Sequence, residues 1–215
     1  MSRQLLLLRH GRTAFNAAGR FQGQVDVPLD DEGRAQAAQV GPLIASRNPV
    51  LVISSDSSRA ADTAAAVADA AGLTLTFDER LREIDVGGWS GRTLDQVEVE
   101  FTQEYKDWIS GNREELRRGG GETYAEVGFR AYECVRGLLD GPPEELVVAV
   151  THGGTARSLI DLMLGIPVGA RHILGGIPNA GWSRLDKGRF GWRLAEHAVT
   201  ADLRLPSVQE GFRWS

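Results

Sequence analysis

An arginine and a histidine stand side by side where an apolar run stops, in Leu5-Leu6-Leu7-Leu8-Arg9-His10-Gly11. A guanidinium is a permanent cation whose planar fork matches phosphate oxygens. An imidazole beside it can take a phosphoryl group on a ring nitrogen, which divides one difficult displacement into two easier ones. Gly11 lets the backbone turn or approach a ligand closely. Two further segments repeat the theme. Pro49-Val50-Leu51-Val52-Ile53-Ser54 runs into Ser55-Asp56-Ser57-Ser58-Arg59, and Glu145-Leu146-Val147-Val148-Ala149-Val150 runs into Thr151-His152-Gly153-Gly154. Two imidazoles near one phosphorus suit a nucleophile and an electrostatic partner. Such chemistry also needs a proton donor for the leaving alkoxide. Leu81-Arg82-Glu83-Ile84-Asp85-Val86-Gly87-Gly88-Trp89 offers Glu83 and Asp85. A glutamic acid in a partly apolar pocket is expected to have a raised pKa and to act as that donor.

The elements that position these groups are readable from periodicity. Short apolar runs at 5–8, 49–54 and 145–150 read as buried strands, and 73–77 alternates as a strand should. Residues 30–47 read as a helix capped by Asp30 or Asp31, with Pro42 expected to kink or split it. Alanine-rich 57–71 reads as a helix stopped by Gly72. Residues 93–110 read as one or two short helices, and a further helix is expected from about Gly154 to Leu164. Residues 122–140 read as a helix with Val127, Ala131, Cys134, Val135 and Leu138 on one face. Residues 182–185 and 190–196 read as a hairpin turning at Asp186-Lys187-Gly188-Arg189. Strands alternating with helices predict an α/β fold with a mostly parallel sheet and an antiparallel edge strand. Such sheets bind ligands beyond the carboxyl ends of their strands, where the Arg9, Arg59 and His152 segments all emerge.

Composition agrees with a small-molecule site. A chain of 215 residues reads as one domain, 1–215. A net charge of -5 argues against a nucleic-acid binder. No apolar run is long enough to span a membrane or to form a signal-peptide core. The single cysteine, Cys134, cannot form an internal disulfide, so the cytoplasm is the expected location. Four histidines and one cysteine show no zinc spacing.

Arg9-His10-Gly11-x-Thr13-x-x-Asn16, Ser54-Ser55-x-x-x-Arg59-Ala60-x-x-Thr63-Ala64, Leu81-x-Glu83-x-x-x-Gly87-x-Trp89-x-Gly91 and Thr151-His152-Gly153-Gly154 occur in that order. Together they resemble the histidine phosphatase superfamily, in its phosphoglycerate-mutase-like branch. The resemblance runs from Leu5 to about Trp182. It implies a three-layer α/β/α sandwich and a phosphohistidine intermediate. His10 is then the nucleophile, with His152 beside it. Arg9, Arg59 and His152 hold the phosphate oxygens, Asn16 reaches the phosphate, and Gln22 and Gly153 belong to the substrate-binding positions. Glu83 protonates the leaving oxygen and then activates water. The implied chemistry needs no metal or other cofactor, because the arginines and His152 supply positive charge, and that field helps to keep His10 neutral.

Cofactor-dependent mutases of this branch carry Glu-Arg-His-Tyr-Gly after the acid and a longer insertion. Here Glu83 precedes Ile84-Asp85-Val86-Gly87-Gly88-Trp89. This looks like the phosphatase subgroup, acting on a small phosphorylated metabolite. Leu174-Gly175-Gly176-Ile177-Pro178-Asn179-Ala180-Gly181-Trp182 is similar to glucosyl-3-phosphoglycerate phosphatases. The alternatives are a phosphoglycerate mutase, a broad-specificity phosphatase and an α-ribazole phosphatase. Arg113, Arg117 and Arg118 precede Gly119-Gly120-Gly121 and read first as a solvated charged run, second as a contact for another anionic group. His172 and His197 read as structural or surface residues. Phe212 and Trp214 in the tail 203–215 are candidates to cover a sheet edge or a partner subunit, which leaves a homodimer open.

Overall fold

A computed structural model describes residues 4–111, 115–142 and 145–201. Arg113 and the tail 203–215, with Phe212 and Trp214, lie outside them. The first strand is β1 (Gln4–Arg9), followed by the single-turn α1 (Ala14–Ala17), α2 (Asp31–Ala45), β2 (Pro49–Ser54), α3 (Ser58–Ala71) and β3 (Leu75–Phe77). Two short helices follow, α4 (Leu94–Glu100) and α5 (Thr102–Ser110), then α6 (Tyr124–Val135), β4 (Leu146–Thr151), α7 (Gly153–Leu164), β5 (Trp182–Gly188) and β6 (Gly191–Val199).

The strands form one six-stranded sheet in the order β3-β2-β4-β1-β5-β6. Pairs β1–β4, β2–β4 and β2–β3 are parallel, and the late hairpin adds β5 antiparallel to β1 with β6 beyond it. Strands buried on both faces need apolar side chains at every position, which the four consecutive leucines supply. Leu6 and Leu8 pack with Val52, Val148 and Val150 against Val40 and Ile44 of α2 and Ala60, Ala64 and Val67 of α3. Leu5 and Leu7 point the other way, toward Ala131, Cys134 and Val135 of α6 and Ala156, Leu159 and Ile160 of α7. Two helix layers thus sandwich the sheet. Each fully buried leucine contributes roughly 1.5–3 kcal/mol over an exposed one.

Register places the chemistry. Leu8 and Ser54 both align with Val150, and Arg9 aligns with Thr151. The carboxyl ends of β1, β2 and β4 therefore reach the same row. Over that end, Ile84, Val86, Trp89, Val97, Tyr124 and Val127 form a third core cluster. Trp89 sits at its centre, with Phe21 at 5.2 Å and Trp108 at 6.0 Å between ring centroids.

Three sequence expectations change. Helix α2 runs unbroken through Pro42, which lies in its last turn on the exposed face. The carbonyl that Pro42 leaves without a partner, on Ala38, is on the same exposed side, where water can bond it. The helix expected over 122–140 starts after Thr123, which caps it through the backbone of Glu126, and gives way at Arg136 to a 3-10 segment ending at Asp140. The tighter winding buries Leu139 and leaves Leu138 only half-buried. The hairpin turns at Arg189-Phe190, so Asp186 is not a turn residue. It lies buried in β5, paired with Arg184 and Arg193. Among the described residues no helix is long and apolar enough to cross a membrane.

Candidate active site

His10 follows β1 and is almost fully buried. Its backbone N–H donates to the Thr151 carbonyl of the neighbouring strand end at 3.0 Å. Its ring Nδ1 lies 2.6 Å from the Gly11 carbonyl oxygen. A carbonyl can only accept, so Nδ1 carries the hydrogen and Nε2 keeps the lone pair. Gly11 is obligatory, because a Cβ there would sit 2.5 Å from the Gly33 carbonyl oxygen. The Gly11 N–H donates to Thr63 Oγ1, which itself donates to the Arg59 carbonyl. The end of β1 is thereby joined to the first turns of α3.

Arg59 is fully buried and its side chain is completely directed. Nη1 donates to Val25 O at 2.8 Å, Nη2 to Gly23 O at 2.9 Å, and Nε to His152 Nδ1 at 3.2 Å. His152 Nδ1 therefore accepts, and its Nε2–H donates to Ser55 Oγ at 3.0 Å. The two imidazoles stand 5.1 Å apart between centroids. Burial pushes the pKa of His10 well below its usual value; protonation of His152 would push it the same way, and the charges on Arg9 and Arg59 do so. His152 is pushed well below as well, by burial first and then by Arg59 and Arg9. Both rings are neutral in the folded protein at pH 7. Arg9 donates through Nη1 to Ile177 O at 2.7 Å, while its buried Nε has no hydrogen-bond partner. The protein itself leaves that donor's hydrogen-bonding capacity unused.

The carboxylate of Glu83 lies on the N-terminus of α7. Gly154 N–H donates to Oε2 at 3.0 Å, Thr155 N–H to Oε1 at 2.9 Å, and Glu83's own neighbour Ile84 N–H to Oε1 at 2.8 Å. The expected upward pKa shift is therefore corrected. Burial does raise it, and is the largest single influence, but the amides of Gly154 and Ile84 with Arg59 and Arg9 outweigh it and bring the pKa below the ordinary value. At neutral pH Glu83 is therefore a carboxylate. Arg130 holds the segment that carries it, donating to the carbonyls of Arg80, Arg82 and Glu83 while paired with Glu122. Asp85, the other carboxyl offered by the sequence, accepts from Gly87 N–H and serves the turn instead.

Arg9, His10, Asn16, Gln22, Arg59 and Glu83 line one cavity of about 170 Å³. Asn16 accepts through Oδ1 from Thr13 N–H, and Gln22 accepts through Oε1 from Thr13 Oγ1, which leaves both amide NH2 groups for a ligand. His152 stands behind Arg59 and His10. Gly153 is not part of the lining; Gly154 is, and a Cβ on it would lie 2.7 Å from Glu83 Oε1.

Sequence reasoning treats Arg118 as part of a solvated run first, and the structure places it in the cavity wall, buried. Its guanidinium lies 5.0 Å from the Tyr124 ring centroid, and its Nη2 is buried without a hydrogen-bond partner. Arg117 does match the solvated reading: it is exposed and pairs with Glu126. Arg20 and Phe21 also line the cavity, without a sequence signal of their own. His172 is exposed, and His197 bonds Ser183 and the Gly175 carbonyl, apart from the cavity. Among the described residues no group of three or more His, Cys, Asp or Glu side chains could hold a metal ion.

The geometry is a buried, neutral imidazole with a free Nε2, two cationic side chains around it, and a carboxylate on the far wall. Comparison with known proteins gives it a context. The family model of the histidine phosphatase superfamily (branch 1) matches residues 5–200. A glucosyl-3-phosphoglycerate phosphatase of Mycolicibacterium vanbaalenii is 37% identical over 212 residues, covering 89% of this chain and 92% of the relative. A probable phosphoglycerate mutase of Yersinia pestis is 35% identical over 212 residues, covering 96% and 98%. The solved structure of a mycobacterial glucosyl-3-phosphoglycerate phosphatase complexed with VO3 superimposes with a TM-score of 0.85 at 35% identity, covering 92% of this chain and 100% of that one.

Proposed function

The chain belongs to the histidine phosphatase superfamily and is a phosphoric monoester hydrolase, and from that premise we propose a metal-independent reaction through a phosphohistidine on His10. The observation that carries this reading is the His10 Nδ1–H bond to the Gly11 carbonyl, which leaves the Nε2 lone pair for phosphorus. Arg9 and Arg59 supply positive charge that stabilises the negative charge on the phosphoryl oxygens during transfer. In the first step the Nε2–P bond forms, the P–O bond breaks, and the leaving oxygen takes a proton from Glu83. In the second step the Glu83 carboxylate takes a proton from water, the water oxygen bonds phosphorus, and the N–P bond breaks to release inorganic phosphate.

Glu83 enters the first step protonated although its amide partners and the two arginines favour the carboxylate. The substrate's phosphate reconciles these states: its negative charge cancels the pull of Arg9 and Arg59 and raises the carboxyl pKa while substrate is bound.

For the substrate we propose a phosphorylated glycerate bearing a sugar, the kind named for the mycobacterial relatives. Arg118 supports it, because a guanidinium in the wall of the same cavity, with its Nη2 not hydrogen-bonded by the protein, suits a second anionic group such as a carboxylate. The net charge of -5 argues against nucleic acid as the partner, and the single cysteine supports the cytoplasm. The match over residues 5–200 supports one domain over 1–215. The test is kcat/KM over a panel of phosphorylated glycerates, sugar phosphates and α-ribazole phosphate, with and without a chelator. Preference for the carboxylated substrate, lost in Arg118→Met and insensitive to the chelator, is expected. A flat panel identifies a broad-specificity phosphatase, and loss of activity with the chelator contradicts the metal-independent reaction. The mutase reading, carried by the Yersinia relative, predicts exchange between 2- and 3-phosphoglycerate when bisphosphoglycerate is supplied.

A further inference from the structure

The segment between α7 and β5 carries a side chain that the proposed reaction does not use. Asn179 Nδ2 lies 3.2 Å from the His10 carbonyl oxygen, 3.3 Å from the Gly11 carbonyl oxygen and 3.1 Å from Asn16 Oδ1. Two amide hydrogens thus serve three acceptors, and all three belong to the group that follows β1. The backbone around Asn179 makes the same connection. Ala180 N–H donates to the His10 carbonyl at 3.0 Å, and Arg9 N–H donates to the Gly181 carbonyl at 2.9 Å. Ala180 adopts a φ of 53°, a left-handed conformation that alanine resists and that tertiary contacts must hold.

The acceptors matter individually. The Gly11 carbonyl is the oxygen to which His10 Nδ1–H is bonded, so its position fixes which ring nitrogen is free. Asn16 Oδ1 is held by Asn179 on one side and Thr13 N–H on the other, which turns the Asn16 NH2 toward the cavity it lines. A carboxylate in place of Asn179 would face three acceptors with no hydrogen to give. Alanine would leave the Asn16 amide free to rotate.

We propose that Asn179 is a positioning residue for phosphoryl transfer, setting the ring of His10 through the Gly11 carbonyl and the amide of Asn16 directly. The proposal rests on the phosphohistidine reading and goes beyond it in naming what orients the nucleophile. Ångström-scale misplacement of reacting groups can cost about 100-fold, so Asn179→Ala is expected to lower kcat/KM for an aryl phosphate by about 10- to 100-fold. Asn179→Asp, with the same shape, is expected to be no better. If Asn179 works partly through Asn16, the two losses are not independent, and in an Asn16→Ala background removing Asn179 costs only a fewfold more. Nitrogen NMR of His10 reads the tautomer without reference to turnover: Nδ1–H predominates in the unsubstituted protein and gives way to a mixture in both Asn179 variants. A variant with reduced thermal stability but an unchanged His10 tautomer overturns the proposal. So does the same fold-loss from Asn179→Ala in both backgrounds, or kcat/KM within twofold of the parent in Asn179→Asp. Absence of any phosphohistidine in the unsubstituted protein would instead overturn the reaction and leave the tautomer result standing.

Discussion

Adding one methyl group at Gly154 should separate proton transfer from the rest of the reaction. A Cβ there would lie 2.7 Å from Glu83 Oε1 and 2.7 Å from Ile84 Cγ2, where ordinary contact begins at 3.4 Å. The carboxylate must therefore retreat by more than half an ångström, on the order of the tolerance for productive geometry. It now accepts from Gly154 N–H, Thr155 N–H and Ile84 N–H, at 2.8 to 3.0 Å. A hydrogen bond to a charged group contributes about 1.5–3 kcal/mol, and general acid catalysis is worth about 100- to 10,000-fold. Losing one such bond and the alignment it gives corresponds to roughly 10- to 100-fold in rate, at about 1.4 kcal/mol per factor of ten. The assay is kcat/KM for Gly154→Ala across phosphate esters whose leaving groups differ in basicity. Alkyl phosphates, which depart only when protonated, should lose about 100-fold. Aryl phosphates with acidic leaving groups should lose about tenfold or less. A uniform loss across the series, with the variant still folded by thermal melting, would refute the placement of Glu83 as the acid. No loss at all would refute the steric argument.

Two further predictions concern pH and packing. His10 and His152 have folded-state pKa values pushed below the usual 6.5, so their contribution to stability is complete above 6.5 and is lost as pH falls below it; Glu83 adds a similar loss below 4.5. The melting temperature should therefore drop on acidification from pH 7 to 5, less steeply in His10→Ala, while kcat/KM for an aryl phosphate holds through pH 6.5; a melting temperature constant over that range, or an acid inflection in kcat/KM at 6.5, would contradict the buried neutral imidazoles. In α2, Gly41→Ala should gain about 0.5–1 kcal/mol in helix propensity but bring its Cβ within 2.5 Å of the Ala66 carbonyl oxygen of α3. Overpacking at about 1–3 kcal/mol wins, so the melting temperature should fall by several degrees with kcat unchanged; a rise would show that the helices part more easily than the contact implies.

Arg9, His10, Arg59 and His152 are legible in the chain because an abrupt end to an apolar run marks a strand end, and parallel strands send those ends to one rim. Sheet registry then does what spacing alone cannot, setting Arg9 opposite Thr151. What escapes the sequence depends on partners far along the chain. The ionised state of Glu83 comes from amides at Gly154 and Thr155, so its local apolar neighbours predict the wrong direction. Arg118 looks like one member of a charged run, yet Gly119, with a φ of 58°, packs its backbone against Gly88 and Trp89 and carries Arg118 inward. Asp186 has the composition of a turn residue, but Arg184 and Arg193 keep it inside a strand. Asn179 is part of a motif noticed for its similarity alone; its bonds to His10, Gly11 and Asn16 span more than 160 residues of sequence and leave no periodic trace.

The central claim is that His10 Nε2 carries the phosphoryl group. It is tested most directly in Glu83→Gln treated with an aryl phosphate, where the first step proceeds without the acid and the second is slowed for want of the base. Rapid quenching into alkali, digestion and mass spectrometry should find one phosphoryl group on the His10 peptide, and phosphorus NMR should assign it to Nε2. Phosphate on another residue, on Nδ1, or on no residue while aryl alcohol is released would contradict the account.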